Sequence, residues 1–213
     1  MHYFLINFGI FLLFINVIVW VTQFSKQGKT YRIFTIYLIV IFCIQLISNI
    51  MMRHSINNIY LSHLYFGSQF ILLSLFYHSI FRQELHRSTL KIGLVAGLLI
   101  LVFQFSLDFS LFYKFNLLEI LLTSLLLIVF ATIHFYNLLN EKKEFYYINI
   151  GLLMYLFGST ILFLLGNVTA LLSSKWNLLV WTLNALIYVV FQFFILLEWM
   201  KSFSKKKSAK IFL

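Results

Sequence analysis

The chain has 213 residues, of which 62% are hydrophobic, 20% aromatic and only 10% charged. A soluble domain carries about a quarter charged residues, so this composition excludes an ordinary soluble domain and points to a membrane protein. The formal net charge is +10, but no basic patch stands apart from the apolar runs, which argues against a nucleic-acid partner.

There is no proline, and there are eight glycines and one cysteine, Cys43. Nothing marks a linker, so residues 1–200 are expected to form one transmembrane domain, followed by a basic cytoplasmic tail at 201–213. A lone cysteine cannot close an internal disulfide, and no Cys-rich metal pattern is present.

The first apolar run, 3–24, lacks the basic leader and small-residue cleavage site of a signal peptide and is predicted as the first membrane helix. Further runs follow at 33–52, 58–81, 91–108, 115–138, 146–171 and 176–200, the fourth being the shortest. Runs of about 20 residues cross the hydrocarbon core, and in lipid they must be helical to satisfy their backbone groups. None alternates as a membrane barrel strand would. The expected fold is therefore an all-α membrane protein, a bundle of seven transmembrane helices.

Loop charges orient it. Lys26, Lys29 and Arg32 follow the first run, Arg82, Arg87 and Lys91 the third, and Lys142 and Lys143 the fifth. Lys201, Lys205, Lys206, Lys207 and Lys210 follow the seventh. Thirteen of the sixteen basic residues thus fall on one side, against Arg53, Lys114 and Lys175 on the other. The positive-inside rule then places the N-terminus outside and the C-terminus in the cytoplasm of a multi-pass inner-membrane protein. The tail would sit on anionic lipid or meet a protein partner.

With this orientation the polar residues gather in the outer half. Helix one contributes Asn7, helix two Gln45 and Asn49, helix three His63 and Gln69, and helix five Asn116 and Glu119. Helix six leaves past Asn167, and helix seven enters with Asn177, Trp181 and Asn184. In helix seven Asn177, Trp181, Asn184, Tyr188 and Gln192 recur at steps of four, three, four and four, which is one helix face. Polar groups inside lipid turn toward the bundle interior, where they either glue helices or line a pathway. Asn49, His63, Gln69, Glu119, Asn167, Trp181 and Asn184 are the residues expected around an outward-facing ligand pocket; Glu119, five residues past Lys114, is either solvated or paired with that lysine, or faces His63 as a ligand-binding or protonatable group. Gly151, Gly158 and Gly166 share a face of helix six and are expected to let a neighbour pack closely. Glu198, at the inner end, has Lys201 three residues away on its own face.

Several chemistries lack their residues. A retinal protein needs a lysine within its last helix, and none lies between Trp176 and Met200. The histidines divide into an outer set (His2, His54, His63) and an inner set (His78, His86, His134), without metal-ligand spacing. No phosphate loop, nucleophile elbow, voltage-sensor arginine row or broken-helix transporter signature occurs. No catalytic residue, metal site or cofactor is predicted.

Three stretches, "HLYFGSQFILLSLFYHSIF" (63–81), "YINIGLLMYLFGSTILFLLGN" (147–167) and "WNLLVWTLNALIYVVFQ" (176–192), carry a resemblance. His63 and Tyr65 open helix three, Gly158 and Asn167 mark helix six, and Trp181 and Asn184 mark helix seven. The pattern resembles uncharacterised seven-helix integral membrane proteins of the Bacteroidetes type, similar to the membrane-sensing portions of sensor histidine kinases. The resemblance implies a Glu where this chain has Gln69, a departure that weakens any acid chemistry assigned to helix three. The resemblance implies an inner-membrane protein without an assigned activity. The expected function is a non-catalytic sensory or partner-binding membrane module, with membrane lipids and a cytoplasmic or membrane signalling protein as partners. The alternatives are a small intramembrane lipid-modifying enzyme, with Glu119 and His63 as acid and base, and a transport or pore subunit.

Overall fold

The structure, a computed structural model, describes residues 2–139, 143–172 and 174–203. Among them every regular element is helical: α1 (His2–Val21), α2 (Lys29–Arg53), α3 (Tyr60–Ile80), α4 (Glu84–Leu107), α5 (Leu117–Asn137), α6 (Tyr146–Leu172) and α7 (Ser174–Glu198). Six of these are long and apolar enough to cross a membrane. They mark a multi-pass membrane protein. The seventh, α3, has the length but not the apolarity. Three of the residues that lower its hydropathy, His63, Gln69 and Ser74, are buried against protein.

Each predicted run coincides with a helix, but two begin four or more residues earlier than the apolar count implies. α2 starts at Lys29 and α4 at Glu84, because their first turns carry charged residues that an apolar window discards. The fourth run, expected to be the shortest, is a helix of 24 residues. α7 runs on into a π-helical turn, Trp199–Phe203. Of the predicted tail, residues 204–213 lie outside the described residues.

The chain divides into two compact units, Met1–Gln23 with His134–Leu213, and Phe24–Ile133. In the first, α6 and α7 pack antiparallel through the glycine face. A Cβ placed on Gly151 would lie 2.5 Å from Cβ of Phe194, and one on Gly158 would lie 2.7 Å from Cδ1 of Ile187. Hydrogen there lets the backbones approach as a side chain would not. Gly9 of α1 admits the Tyr188 ring of α7 in the same way. Asn16 of α1 donates through Nδ2 to the backbone carbonyl of Gln192 (2.9 Å) and to its Oε1 (3.0 Å), both side chains being buried.

In the second unit, Gly93 and Gly97 of α4 receive Phe130 and Leu126 of α5. Ser79 of α3 donates to Thr30 Oγ1 of α2 at 3.0 Å. Two arginines fasten the connections. The Arg32 guanidinium donates to the carbonyls of Phe24, Ser25 and Gln27. Arg87 donates through Nε to the Phe81 carbonyl at 2.7 Å.

Candidate functional site

The predicted site residues divide between the units: Asn49, His63, Gln69 and Glu119 fall in one, and Asn167, Trp181 and Asn184 in the other.

The geometry concentrates on α3 and α5. His63 lies one turn into α3, and Glu119 lies in the first turn of α5. His63 Nδ1 and Glu119 Oε2 are 2.5 Å apart, with side-chain exposures of 5% and 3%. Of the readings of Glu119, this geometry matches the one that faces it to His63. The pairing with Lys114 is not formed, since Lys114 donates to Ser110 Oγ at 2.8 Å instead.

The start of α5 is built to hold this carboxylate. Asn116 precedes the helix, and its Oδ1 accepts the Glu119 amide at 3.3 Å, an N-cap contact. The Asn116 amide is itself fixed by a reciprocal pair with Gln104 of α4, at 3.2 and 3.1 Å. Thr123, one turn on, donates to the Glu119 carbonyl at 2.8 Å.

Aromatic rings enclose the imidazole. Phe112 lies over His63 with centroids 5.5 Å apart and planes 25° from parallel, and Phe105 meets it edge-on at 5.4 Å. Tyr60 stacks on Phe112 at 6.3 Å. Phe112 belongs to a short 3₁₀ turn, Phe109–Tyr113, between α4 and α5. Asp108 begins that turn, and its Oδ1 accepts the Ser110 amide at 2.9 Å. The hydrogen bonds from Ser110 hold the Asp108 carboxyl below its ordinary value. His63 Nε2 is buried and has no hydrogen-bond partner among the described residues.

The other two residues of this unit are engaged elsewhere. Asn49 Oδ1 accepts Arg53 Nε at 2.9 Å, one turn along the same helix. Gln69 is buried and donates to the Tyr37 hydroxyl of α2 at 3.4 Å.

In the other unit, Trp181 Nε1 donates to Asn177 Oδ1 at 2.6 Å, and its ring lies against Phe163 and Gly166 of α6. The helix-seven stripe therefore faces its neighbours: Asn177, Trp181, Asn184 and Tyr188 are half-buried, and Gln192 is fully buried. Asn184 Oδ1 is buried without a hydrogen-bond partner among the described residues. Asn167 is exposed.

Glu198 is the residue that sequence reasoning misplaced. It was expected beside Lys201, but it is buried. Its Oε2 accepts the amides of Tyr147 (2.8 Å) and Ile148 (3.5 Å) at the start of α6, and its Oε1 accepts the Ser202 hydroxyl at 2.5 Å. A usable cue existed. Glu198 lies nearly as far after the α6–α7 junction as Tyr147 lies before it, so an antiparallel pair brings them level. The ring contacts of Phe105 and Phe112 had no such cue, because one Phe among 26 carries little information.

Among the described residues no three His, Cys, Asp or Glu side chains converge as a metal site would require. Comparison with family models, curated proteins and solved structures returns no match.

Proposed function

We propose that this chain is a seven-span protein of the cell inner membrane, N-terminus outside and C-terminus cytoplasmic, acting as a non-catalytic sensory or partner-binding module. Six membrane-capable helices, with α3 as a protein-facing seventh, support the span count. The one-sided distribution of Lys and Arg supports the orientation. Kinship with the Bacteroidetes-type seven-helix proteins belongs to the same proposal.

The observation that carries the functional reading is the buried His63–Glu119 pair. It joins α3 to α5 through a hydrogen bond whose strength depends on protonation and on whatever approaches Nε2. A group that binds one arrangement of this pair better than another shifts the helices by that difference in affinity. A catalytic dyad would need a nucleophile or a second carboxylate on the imidazole, and the groups packed against His63 are instead Phe105 and Phe112. A signalling partner would meet the basic cytoplasmic loops.

Two measurements test the proposal. In a Cys43→Ser background, single cysteines at Asn57 and Gln27 are exposed in intact cells to an impermeant maleimide. Labelling at 57 alone is expected, and labelling at 27 overturns the orientation. Lipid extracts of cells with the protein, without it, and carrying Glu119→Gln should be the same. A lipid species lost in both the deletion and the Glu119→Gln strain would replace this reading with that of an intramembrane lipid-modifying enzyme.

A further inference from the structure

We infer that His63 Nε2 presents an N–H donor, in the plane of the imidazole, to the carbonyl oxygen of a planar, lipid-soluble ligand of the quinone class, which enters as the turn carrying Phe112 yields. The inference rests on the sensory reading above and names the ligand of that site.

The first step concerns charge. Among the described residues no lysine or arginine pairs with Glu119, and its ionic partner is His63. With one proton between Nδ1 and Oε2 and none on Nε2, the pair would carry an uncompensated negative charge in a buried, apolar place. Such a charge is costly. A second proton, on Nε2, makes the pair neutral. Nε2 is then a buried N–H with no acceptor among the described residues, and buried donors are normally satisfied.

The second step concerns what can satisfy it. An anionic ligand would bring negative charge beside Glu119 with no cation to balance it. A ligand offering only a donor would face another donor. A neutral carbonyl oxygen fits. The surrounding surfaces are flat: Phe112 lies over the imidazole, Phe105 stands edge-on to it, and Tyr60 stacks on Phe112. Aromatic walls with one placed polar group favour a planar π system over the ester of an acyl lipid. Phe112 sits on a five-residue turn whose Phe109 and Tyr113 are exposed, so its ring is the wall that can yield without moving a helix.

The test uses the full chain in phosphatidylcholine nanodiscs with isotopically labelled histidine. Decyl-benzoquinone is titrated in, with decylbenzene, which has the ring but no acceptor oxygen, and added phospholipid as comparisons. The His63 Nε2 resonance should show a bonded proton before addition and shift saturably with the quinone. Affinity should fall at least about tenfold for decylbenzene, and by a similar factor in His63→Phe. Phe112→Ala, which keeps the pair intact, should speed association. An unprotonated Nε2 in the wild type, equal affinity for decylbenzene, a shift produced by phospholipid alone, or no saturable quinone shift would each overturn the inference. The wild-type spectra decide it even if His63→Phe fails to fold. Failure here leaves the sensory reading standing, because that reading is judged by labelling and lipid profiles.

Discussion

Glu198, at the end of α7, accepts the backbone amide of Tyr147 at the start of α6 at 2.8 Å. The first amides of a helix have no partner within it, and an acceptor there, above all a carboxylate, both satisfies them and complements the helix dipole. Glu198→Ala should cost about 1–2 kcal/mol, read as a lowered thermal midpoint in detergent. Glu198→Gln, which keeps an acceptor oxygen, should lose less. A truncation meant to remove only the tail should end after Phe203, because one ending at Met200 also deletes Ser202 and its bond to Glu198.

The glycines of α6 and α3 should respond in opposite ways. Gly151→Ala places a Cβ 2.5 Å from a Phe194 carbon that cannot swing aside, because it is that residue's own Cβ. Forcing α6 from α7 should cost about 1–3 kcal/mol. At Gly67 of α3 nothing lies within 4 Å of the new methyl, so Gly67→Ala should gain about 0.5–1 kcal/mol by restricting the unfolded chain. Equal effects at the two positions would refute the close packing at Gly151.

A double-mutant cycle on His63 and Glu119 should show strong coupling. Glu119→Ala alone leaves Nδ1 buried without its acceptor, and His63→Ala alone leaves a buried carboxylate. The coupling energy should be about 1–3 kcal/mol, and the double variant should be more stable than the sum of the singles implies. Additive losses in chemical denaturation would mean the two side chains do not bond.

Arg32 should be replaceable by lysine in charge but not in structure. Its fork reaches three backbone carbonyls in the α1–α2 connection, a geometry that a single ammonium does not reproduce. Both Arg32→Lys and Arg32→Ala should raise amide exchange in residues 24–28 and cost about 1 kcal/mol. Full rescue by lysine would contradict the bonding described.

Asp108 supplies the pH dependence of the turn that carries Phe112. Its folded-state pKa lies below the ordinary 3.8 because Ser110 hydrogen-bonds the charged form. A depressed carboxyl contributes in full above the unfolded value, and that contribution is lost as pH falls through the lower folded value. The Ser110 amide shift should therefore titrate with a midpoint below 3.8, and in Asp108→Asn it should stay flat.

Much of the helical plan was legible because apolar length is a coarse quantity that lipid enforces. Helix starts were less so: Lys29 and Glu84 belong to their helices, but an apolar window cannot see a helix that begins in water. The approach of Glu119 to His63 was legible only as one of two readings, because Lys114 is the nearer partner in sequence while His63 is near only in space. The cap made by Glu198 was missed since Lys201 is near in sequence while Tyr147 is near only in space. Asn49 was drawn into the expected pocket by depth alone, and Arg53, one turn away, engages it instead. Depth along a helix can be counted from sequence, whereas rotation about its axis follows from neighbours.

Arg32 and Arg87 also carry a lesson about time. A charge beside an apolar run acts while the chain is being threaded into a bilayer, when no tertiary contact exists. Afterwards the same two guanidinium groups clasp the carbonyls of the connections they flank. On the orientation proposed above, a single side chain is thus first a signpost and then a fastener. Lysine would serve the former duty and fail the latter, so drift at these positions would leave threading correct but the hinges loose.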